Sequence, residues 1–294
     1  MSKLCLGTVQ LGMKYGVNNV LGRQPTEEES FEVLRAAQKC GIDYLDTASV
    51  YGEAETRLGR WGVNQAGFRV ISKLRPGLEH ETNEKIVLRE IEASLQRLNV
   101  RRLYGYMLHR AEDMANEAIV RGMLTAKEKE YVKKIGVSVY EPEEAFRVVK
   151  SGLWDMVQIP YNVLDQRLDM TDFFELANNN HVEVFARSAF LQGLLLMEPD
   201  AVPSTLSGAC PYLKKFHAIL ERYGYTPEEG AMLYSYCHPS IDFVVFGVDT
   251  EMQLVKNVEI CDKAKGFDVC WKELRGAFSE VPREIIIPSL WKLS

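Results

Sequence analysis

Short runs of apolar and β-branched residues alternate along the chain with longer segments whose apolar residues recur at helical spacing. The short runs predict eight strands, at residues 4–8, 44–46, 68–73, 103–109, 134–139, 155–160, 182–187 and 243–247. The longer segments predict helices that begin after Thr26 and at Pro142, and further helices over residues 54–61, 83–98, 115–133, 171–179, 212–223, 227–237 and 250–261. Thr26 and Glu29 have the spacing of a capping box, which indicates where the first of these helices starts.

The regular alternation of strands and helices predicts the fold class. Eight successive strand–helix units favour an α/β fold in which a parallel sheet closes into a (β/α)8 TIM barrel. The chain has 294 residues and no linker-like stretch, so we expect a single domain over residues 1–294. A doubly wound open sheet is the alternative, but the segment after the first strand, LGTVQLG, does not fit the G-x-G-x-x-G spacing of that fold.

Composition narrows the range of functions. The net charge of -6 and the lack of a basic cluster argue against nucleic-acid binding. Six cysteines without C-x-x-C spacing suggest neither a zinc site nor a disulfide framework, and are typical of free thiols in a reducing compartment. The N-terminal segment does not resemble a signal peptide, and the apolar runs are too short to span a bilayer. We therefore expect a cytoplasmic protein without a metal or a membrane partner.

Polar residues that can take part in acid–base chemistry follow three successive predicted strands. Asp46 and Tyr51 come at and after the second strand, Lys73 ends the third, and His109 ends the fourth. Because the active sites of such barrels lie at the carboxyl ends of the strands, these four side chains can converge at one mouth of the barrel. Each type alone is more common in a structural role, as a packed tyrosine, a solvated charge or a satisfied histidine. Together they form a candidate catalytic set.

The chemistry of this set suits the reduction of a carbonyl group. A hydride added to carbon leaves an alkoxide that needs a proton, and a phenol such as Tyr51 holds its proton at neutral pH. The Lys73 ammonium would lower the pKa of that phenol, and Asp46 would pair with Lys73 and orient it. A neutral His109 could donate a hydrogen bond to the substrate oxygen.

These residues stand in segments that resemble the aldo-keto reductase superfamily in the order of its motifs. The likeness runs from about residue 4 to residue 258. The matching segments are Asp46-Thr47-Ala48-x-x-Tyr51-Gly52, Ile71-Ser72-Lys73-Leu74, Leu108-His109-Arg110, Gly136-Val137-Ser138, Val157-Gln158-Ile159-Pro160-Tyr161-Asn162, residues 188–194 and residues 247–257. The resemblance implies an oxidoreductase that uses NADP(H) or NAD(H), with Tyr51 as the general acid, Lys73 and Asp46 tuning it, and His109 orienting the substrate.

The same resemblance implies a set of cofactor contacts. Gly7, Thr8 and Asp46 would lie near the nicotinamide ribose, and Ser138 and Gln158 would bind the carboxamide. The remaining contacts would come from the last two strand ends and the segments after them, at Arg187, Ser188, Phe190, Gln192, Gly247, Asp249, Gln253 and Asn257.

Three departures from the usual pattern bear on the cofactor. Arg187 stands where many members have an aromatic residue stacked on the nicotinamide, and a planar guanidinium can also stack on a ring. Val139 replaces an asparagine that often helps to hold the carboxamide. Asp249 and Glu251 bring negative charge where basic residues usually meet the 2′-phosphate of NADP, and Gln253 replaces a common arginine. The family favours NADP, whereas these residues favour NAD.

The substrate is less well defined by sequence. The opening residues 7–12 and residues 187–193 resemble a bacterial branch that is associated with surface-carbohydrate synthesis, which suggests a small sugar or sugar-derived carbonyl compound. A loop over residues 198–211 and a tail over residues 266–294 would edge the pocket, although the tail could instead form a contact in a small homo-oligomer. The alternatives to a reductase are a catalytically silent cofactor-binding or regulatory subunit and another barrel chemistry, such as that of a lyase or an isomerase.

Overall fold

The computed structural model describes residues 3–78, 80 and 83–291. In this part of the chain, parallel strands close into a barrel in the order β1 to β8, with each strand paired to the next and β8 paired to β1. The strands are β1 Leu4–Gly7, β2 Tyr44–Asp46, β3 Arg69–Leu74, β4 Leu103–Leu108, β5 Val132–Ser138, β6 Met156–Pro160, β7 Glu183–Arg187 and β8 Phe243–Gly247. The predicted (β/α)8 barrel is confirmed.

The helices lie outside the barrel and across its ends. They are α1 Val9–Gly12, α2 Glu27–Lys39, α3 Ala54–Trp61, α4 Lys85–Leu98, α5 Glu117–Glu128, α6 Pro142–Lys150, α7 Phe173–Asn179, α8 Cys210–Tyr223, α9 Pro227–Tyr236, α10 Glu251–Cys261, α11 Asp268–Ala277 and α12 Arg283–Ile286. The predicted capping box starts α2: the Thr26 hydroxyl accepts from the Glu29 amide at 3.2 Å, and the Glu29 carboxylate accepts from the Thr26 amide at 2.7 Å. In the described residues, no helix combines the length and the apolar character needed to cross a membrane.

Two of the predicted segments differ substantially from the structure. The helix predicted over residues 115–133 ends at Glu128, because Glu130 adopts a left-handed conformation with φ of 57° and the chain then enters β5 at the buried Val132. The predicted loop 198–211 contains short 3-10 turns at Pro199–Ala201 and Ser204–Ala209. The tail contributes α11 and α12, which the sequence reading had not assigned; its last residues, 292–294, fall outside the described part of the chain.

The core is divided between two apolar clusters. The larger cluster lies between the helices and the outer face of the sheet. The smaller cluster fills the barrel interior and is formed by Cys5, Tyr44, Ile71, Met107, Met156, Phe185, Phe243 and Val245. We call this second group the barrel plug. It is the floor on which the functional side chains stand.

Candidate active site

The residues predicted to act together stand one layer above the barrel plug. Side chains two positions apart on a strand point to the same face, so the residue two positions after a plug residue also faces the barrel interior. This relation places a polar residue or a glycine at the mouth of seven strands in the pairs Cys5–Gly7, Tyr44–Asp46, Ile71–Lys73, Met107–His109, Met156–Gln158, Phe185–Arg187 and Val245–Gly247.

 On β5 the same relation joins Gly136 to Ser138, and the carbonyl oxygen and Cβ atom of Met156 occupy the space beside Gly136. The barrel therefore presents Asp46, Lys73, His109, Ser138, Gln158 and Arg187 to one mouth.

A buried ion pair lies at the centre of this layer. The Lys73 ammonium is 2.6 Å from the nearer Asp46 carboxylate oxygen, and the two side chains are 1% and 6% exposed. Lys73 also donates to the Thr47 carbonyl at 2.9 Å. Burial lowers the pKa of Lys73, but the Asp46 carboxylate, its hydrogen bonds and the nearby Tyr51 outweigh burial, and the net pKa is raised. Lys73 is therefore an ammonium ion held in the interior of the barrel.

Tyr51 lies on the turn after β2, beside this ammonium. The Lys73 nitrogen is 5.2 Å from the centre of the Tyr51 ring. The turn is fixed by a close backbone contact, because a Cβ atom on Gly12 would lie 1.8 Å from the Tyr51 carbonyl oxygen. Burial raises the pKa of the Tyr51 phenol; Lys73 acts in the opposite direction, as the sequence predicted, but does not outweigh burial. Tyr51 therefore holds its proton at neutral pH.

His109 faces Tyr51 from the end of β4. The two rings are 5.9 Å apart between centroids and meet edge to face. Burial lowers the pKa of His109 to about 3, with the Lys73, Arg187 and Arg110 charges acting in the same direction. Among the described residues, His109 Nδ1 is buried without a hydrogen-bond partner. The imidazole is thus neutral at physiological pH and has unused hydrogen-bonding capacity.

A short hydrogen-bond chain connects the ion pair to the neighbouring strands. Gln158 donates from Nε2 to Asp46 at 2.8 Å, and the Ser138 hydroxyl donates to Gln158 Oε1 at 3.4 Å. Both side chains are buried. Of the two residues predicted to hold a carboxamide, Gln158 therefore also contacts Asp46, which orients Lys73, and Ser138 contacts Gln158.

A pocket of about 230 Å³ opens above this layer. Every residue predicted to contact the cofactor lines it: Gly7, Thr8, Asp46, Ser138, Gln158, Arg187, Ser188, Phe190, Gln192, Gly247, Asp249, Gln253 and Asn257. Tyr51 and His109 also line it, whereas Lys73 lies beneath its surface. Glu251, which is expected from the sequence to bring negative charge towards a 2′-phosphate, is exposed and does not line the pocket.

A segment that the sequence analysis did not assign to the site crosses the pocket. Residues 15–20, which we call the bridging segment, connect the loop after β7 to the loop after β8. The Val17 amide donates to the Gln192 carbonyl at 3.0 Å. The Asn19 side chain and the Val20 amide donate to the two carboxylate oxygens of Asp249, at 2.9 and 3.0 Å. Asp249 therefore anchors the bridging segment, a role that its sequence position did not indicate.

The pocket is also lined by residues that the sequence did not indicate. Tyr15 and Tyr140 contribute two aromatic rings to the lining, and burial, with the nearby Tyr51 and Tyr140 acting in the same direction, raises the pKa of Tyr15 to about 12. Lys256 and Glu228 line the pocket and form an ion pair with each other. Only the position of Lys256, one residue before Asn257, could have suggested its place in the site.

The features of the pocket fit a nicotinamide dinucleotide. In the loop after β7, Ser188, Leu191 and Gln192 have φ values of 65°, 47° and 54°. Such left-handed conformations of non-glycine residues cost about 1 kcal/mol or more each and cluster at ligand sites. In the described part of the chain, the buried Gln10 Oε1 lines the pocket and has no hydrogen-bond partner. Strained backbone and unused polar atoms are what a long polar ligand would stabilise.

Comparison with known proteins agrees with this description. A profile of the Aldo/keto reductase family matches residues 3–268. The chain belongs to the aldo/keto reductase family. The aldo/keto reductase family uses a nicotinamide cofactor and acts on small-molecule carbonyl compounds.

The sequence identity to individual aldo/keto reductases is low. The chain is 26% identical to D-threo-aldose 1-dehydrogenase from Pseudomonas sp over 288 residues, which cover 83% of this chain and 87% of that protein. It is 25% identical to aldo-keto reductase YhdN from Bacillus subtilis, over 66% of this chain and only 60% of the relative's length. The holo form of aldo-keto reductase AKR11C1 from Bacillus halodurans has the same fold, with a TM-score of 0.74 and 20% identity over 97% of this chain and 95% of that one.

Proposed function

We propose that this protein is an NAD(P)H-dependent reductase that converts an aldehyde or a ketone to an alcohol. The observation that supports this most strongly is the convergence of Tyr51, Lys73, Asp46 and His109 at one mouth of the barrel, beneath a pocket of about 230 Å³. A scaffold that only bound a cofactor would not need a buried ammonium beside a buried phenol, since both are costly to bury.

The four side chains divide the proton chemistry between them. The Tyr51 hydroxyl donates its proton to the carbonyl oxygen, and the Lys73 ammonium stabilises the phenolate that remains. Asp46 keeps Lys73 charged and in place through the 2.6 Å contact. Neutral His109 donates a hydrogen bond to the same substrate oxygen and so orients the carbonyl group. When bound, the nicotinamide supplies the hydride.

The residues that would hold the cofactor follow from the pocket lining. Gly7 and Gly247 leave room at the strand ends, and the Gln158 amide, whose Oε1 accepts only a long bond from Ser138, can accept from a carboxamide. The loop containing Ser188, Phe190 and Gln192 would hold the pyrophosphate, and Asn257 the adenine.

We further propose that NAD(H) is accepted. Gln253 offers no positive charge to a 2′-phosphate, Asp249 brings a carboxylate to the pocket wall, and Glu228 pairs with the one lysine, Lys256, that lines this end of the pocket in the described chain. Titration of the protein with NADH and NADPH, followed by fluorescence, tests this proposal. NADPH binding that is at least about tenfold tighter, or about 1.4 kcal/mol, overturns it.

The proposed substrate is a sugar or a sugar-derived carbonyl compound. One relative is a D-threo-aldose 1-dehydrogenase, and Tyr15 and Tyr140 give the pocket aromatic faces and hydroxyl groups that suit the mixed apolar and polar surface of a sugar.

All six cysteines belong to the described chain and are free thiols, which is typical of a reducing compartment such as the cytoplasm.

The decisive experiment compares two phenols in one pocket. Oxidation of reduced nicotinamide is followed by absorbance with a panel of aldehydes and keto-sugars, for the unaltered protein, Tyr51→Phe and Tyr15→Phe. We expect Tyr51→Phe to lower kcat by about 10²- to 10⁴-fold and Tyr15→Phe to retain most of it, because only Tyr51 lies against the Lys73 ammonium. Equal losses in both variants contradict the assigned proton donor. Tight cofactor binding without turnover on any substrate favours a silent binding subunit.

A further inference from the structure

The guanidinium of Arg187 is a positive charge in the pocket without a carboxylate partner in the described residues. It donates to two neutral oxygens, the Val139 carbonyl at 3.0 Å and the Ser188 hydroxyl at 3.3 Å. The other two cations of this region are paired, Lys73 with Asp46 and Lys256 with Glu228. Within the described part of the chain, the pocket therefore has one cation whose charge no carboxylate contacts.

The nearby carboxylate of Asp165 does not supply this partner. Arg187 acts on Asp165 electrostatically, but both Asp165 oxygens are bound by Arg167, at 2.8 and 2.9 Å. Asp165 therefore does not neutralise Arg187, and the positive charge of Arg187 acts on the pocket and on any ligand that occupies it.

Arg187 is close enough to the proposed reaction centre to act on it. It follows the plug residue Phe185 by two positions on β7, in the same layer as Asp46 and Lys73. Its charge lowers the pKa of the Tyr51 phenol and of the His109 imidazole relative to what burial and the other neighbours would set. A ring that delivers hydride to a carbonyl held by Tyr51 and His109 must lie in the same electric field.

The Tyr140 ring fixes the position of this guanidinium. The central carbon of the Arg187 guanidinium lies 4.3 Å from the centre of the Tyr140 ring, which is a stacking distance. The Val139 carbonyl, next to Tyr140 in the chain, accepts from the same guanidinium. A guanidinium stacked on one face leaves its other face for a second planar group.

We infer that Arg187, positioned by Tyr140, makes this site bind the reduced nicotinamide more tightly than the oxidised one. The oxidised ring has a positive charge and is repelled by the unpaired guanidinium, whereas the reduced ring is neutral and is not. This inference rests on the proposed function and adds a direction to it: in a mixture of both cofactor forms, the protein is loaded for carbonyl reduction. Tyr140 is a positioning residue, and Arg187 determines which redox form of the cofactor binds more tightly.

The quantity to measure is the ratio of the Kd of the oxidised cofactor to the Kd of the reduced cofactor. Two unit charges that lie a few ångströms apart in a partly solvated pocket support a ratio of about tenfold, equivalent to about 30 mV in the potential of the bound couple. Arg187→Gln is expected to lower the ratio about tenfold. Tyr140→Leu is expected to lower it about threefold, because the charge remains but is no longer held, while Tyr140→Phe keeps the ring and the ratio.

Both dissociation constants are measured without substrate, by quenching of protein fluorescence and by the fluorescence of the reduced ring, so that the readout does not depend on turnover. Far-ultraviolet circular dichroism of each variant confirms that it is folded. A purely structural role for Arg187 or Tyr140 would change both constants by the same factor and leave the ratio unchanged.

The outcomes separate the two proposals. If both forms bind and the ratio in Arg187→Gln stays within about twofold of that of the unaltered protein, the inference is overturned and the proposed function stands. If Arg187→Gln lowers the ratio but Tyr140→Leu does not, the positioning role of Tyr140 is overturned. If neither cofactor form binds the unaltered protein, the proposed function fails and this inference fails with it.

Discussion

Replacing Asp46 by asparagine tests the buried ion pair on which the proposed proton chemistry depends. The change removes the negative charge but keeps an oxygen that can accept from Gln158. The Lys73 ammonium, 1% exposed, would then keep only neutral oxygen partners, such as the Thr47 carbonyl. At 2.6 Å and an effective dielectric constant of about 20, the lost attraction is about 6 kcal/mol before the carboxylate's own desolvation is subtracted. We expect a net loss of about 3 kcal/mol in the free energy of unfolding at neutral pH.

The sign of the pH dependence makes this prediction specific. In the unaltered protein the pKa of Lys73 is raised above 10.5, so the pair stabilises the fold below that pH, and this contribution is lost as the pH rises through the folded-state pKa. In Asp46→Asn, burial lowers the pKa of Lys73 without compensation. The stability of the variant then rises towards alkaline pH by up to about 1.4 kcal/mol per pH unit, and its deficit shrinks.

Urea unfolding followed by tryptophan fluorescence at about pH 7 and about pH 9.5 measures both effects. A double variant, Asp46→Asn with Lys73→Met, serves as the control, because removing both charges restores part of the stability lost when only one is removed. A loss below about 1 kcal/mol that is the same at both pH values would refute the reasoning from a buried charge.

Three further predictions follow from single contacts in the site. The pKa of His109 is about 3 in the folded state, so the free energy of unfolding falls as the pH drops from about 6.5 towards that value. His109→Gln should remove this part of the acid sensitivity. If the urea midpoint falls by the same amount in both proteins between neutral pH and about pH 4.5, the prediction is contradicted. Gly12→Ala places a Cβ atom 1.8 Å from the Tyr51 carbonyl oxygen and should cost about 2–4 kcal/mol by urea unfolding, whereas Gly276→Ala, with open space around it, should cost nothing. Asn19→Ala removes one of the two hydrogen bonds that tie the bridging segment to the loop after β8, so stopped-flow fluorescence should show faster cofactor release; an unchanged rate would mean that the segment does not control exit.

Much of the fold and of the site could be predicted because both depend on short-range patterns. The boundaries of α3, β2 and β8 agree with the prediction to the residue, and each end of the other strands lies within two residues of its predicted position. The polar residues at the strand ends were recognisable because each follows an apolar run, which places it at the barrel mouth once the strands are parallel. The helix predicted over residues 115–133 was too long because its apolar spacing continues into β5. The helix ends before Glu130, whose left-handed backbone conformation is not indicated by the residue types there.

The parts of the site that could not be predicted depend on contacts between distant segments. Tyr15 and Asn19 lie in a polar, glycine-containing stretch without helical or strand periodicity, so nothing local indicated that it crosses the pocket. Glu228 and Lys256 are 28 positions apart and meet only because α9 and α10 are neighbours. Asp249 was expected near the cofactor, and it lines the pocket, but its two oxygens bind the bridging segment, a partner some 230 residues away in sequence.

The separation of the barrel plug from the larger outer cluster has a consequence for how this protein can change over evolutionary time. Substitutions among the outer helices alter stability without moving the floor on which Lys73 and Asp46 stand. Polar loop residues of the pocket wall, such as Asn19 and Gln192, belong to neither cluster, so substitutions there alter the wall and leave both clusters unchanged. New substrates can therefore be acquired loop by loop, while a change to a plug residue such as Ile71 or Met107 would tilt the side chain two positions further on and disturb every reaction at once.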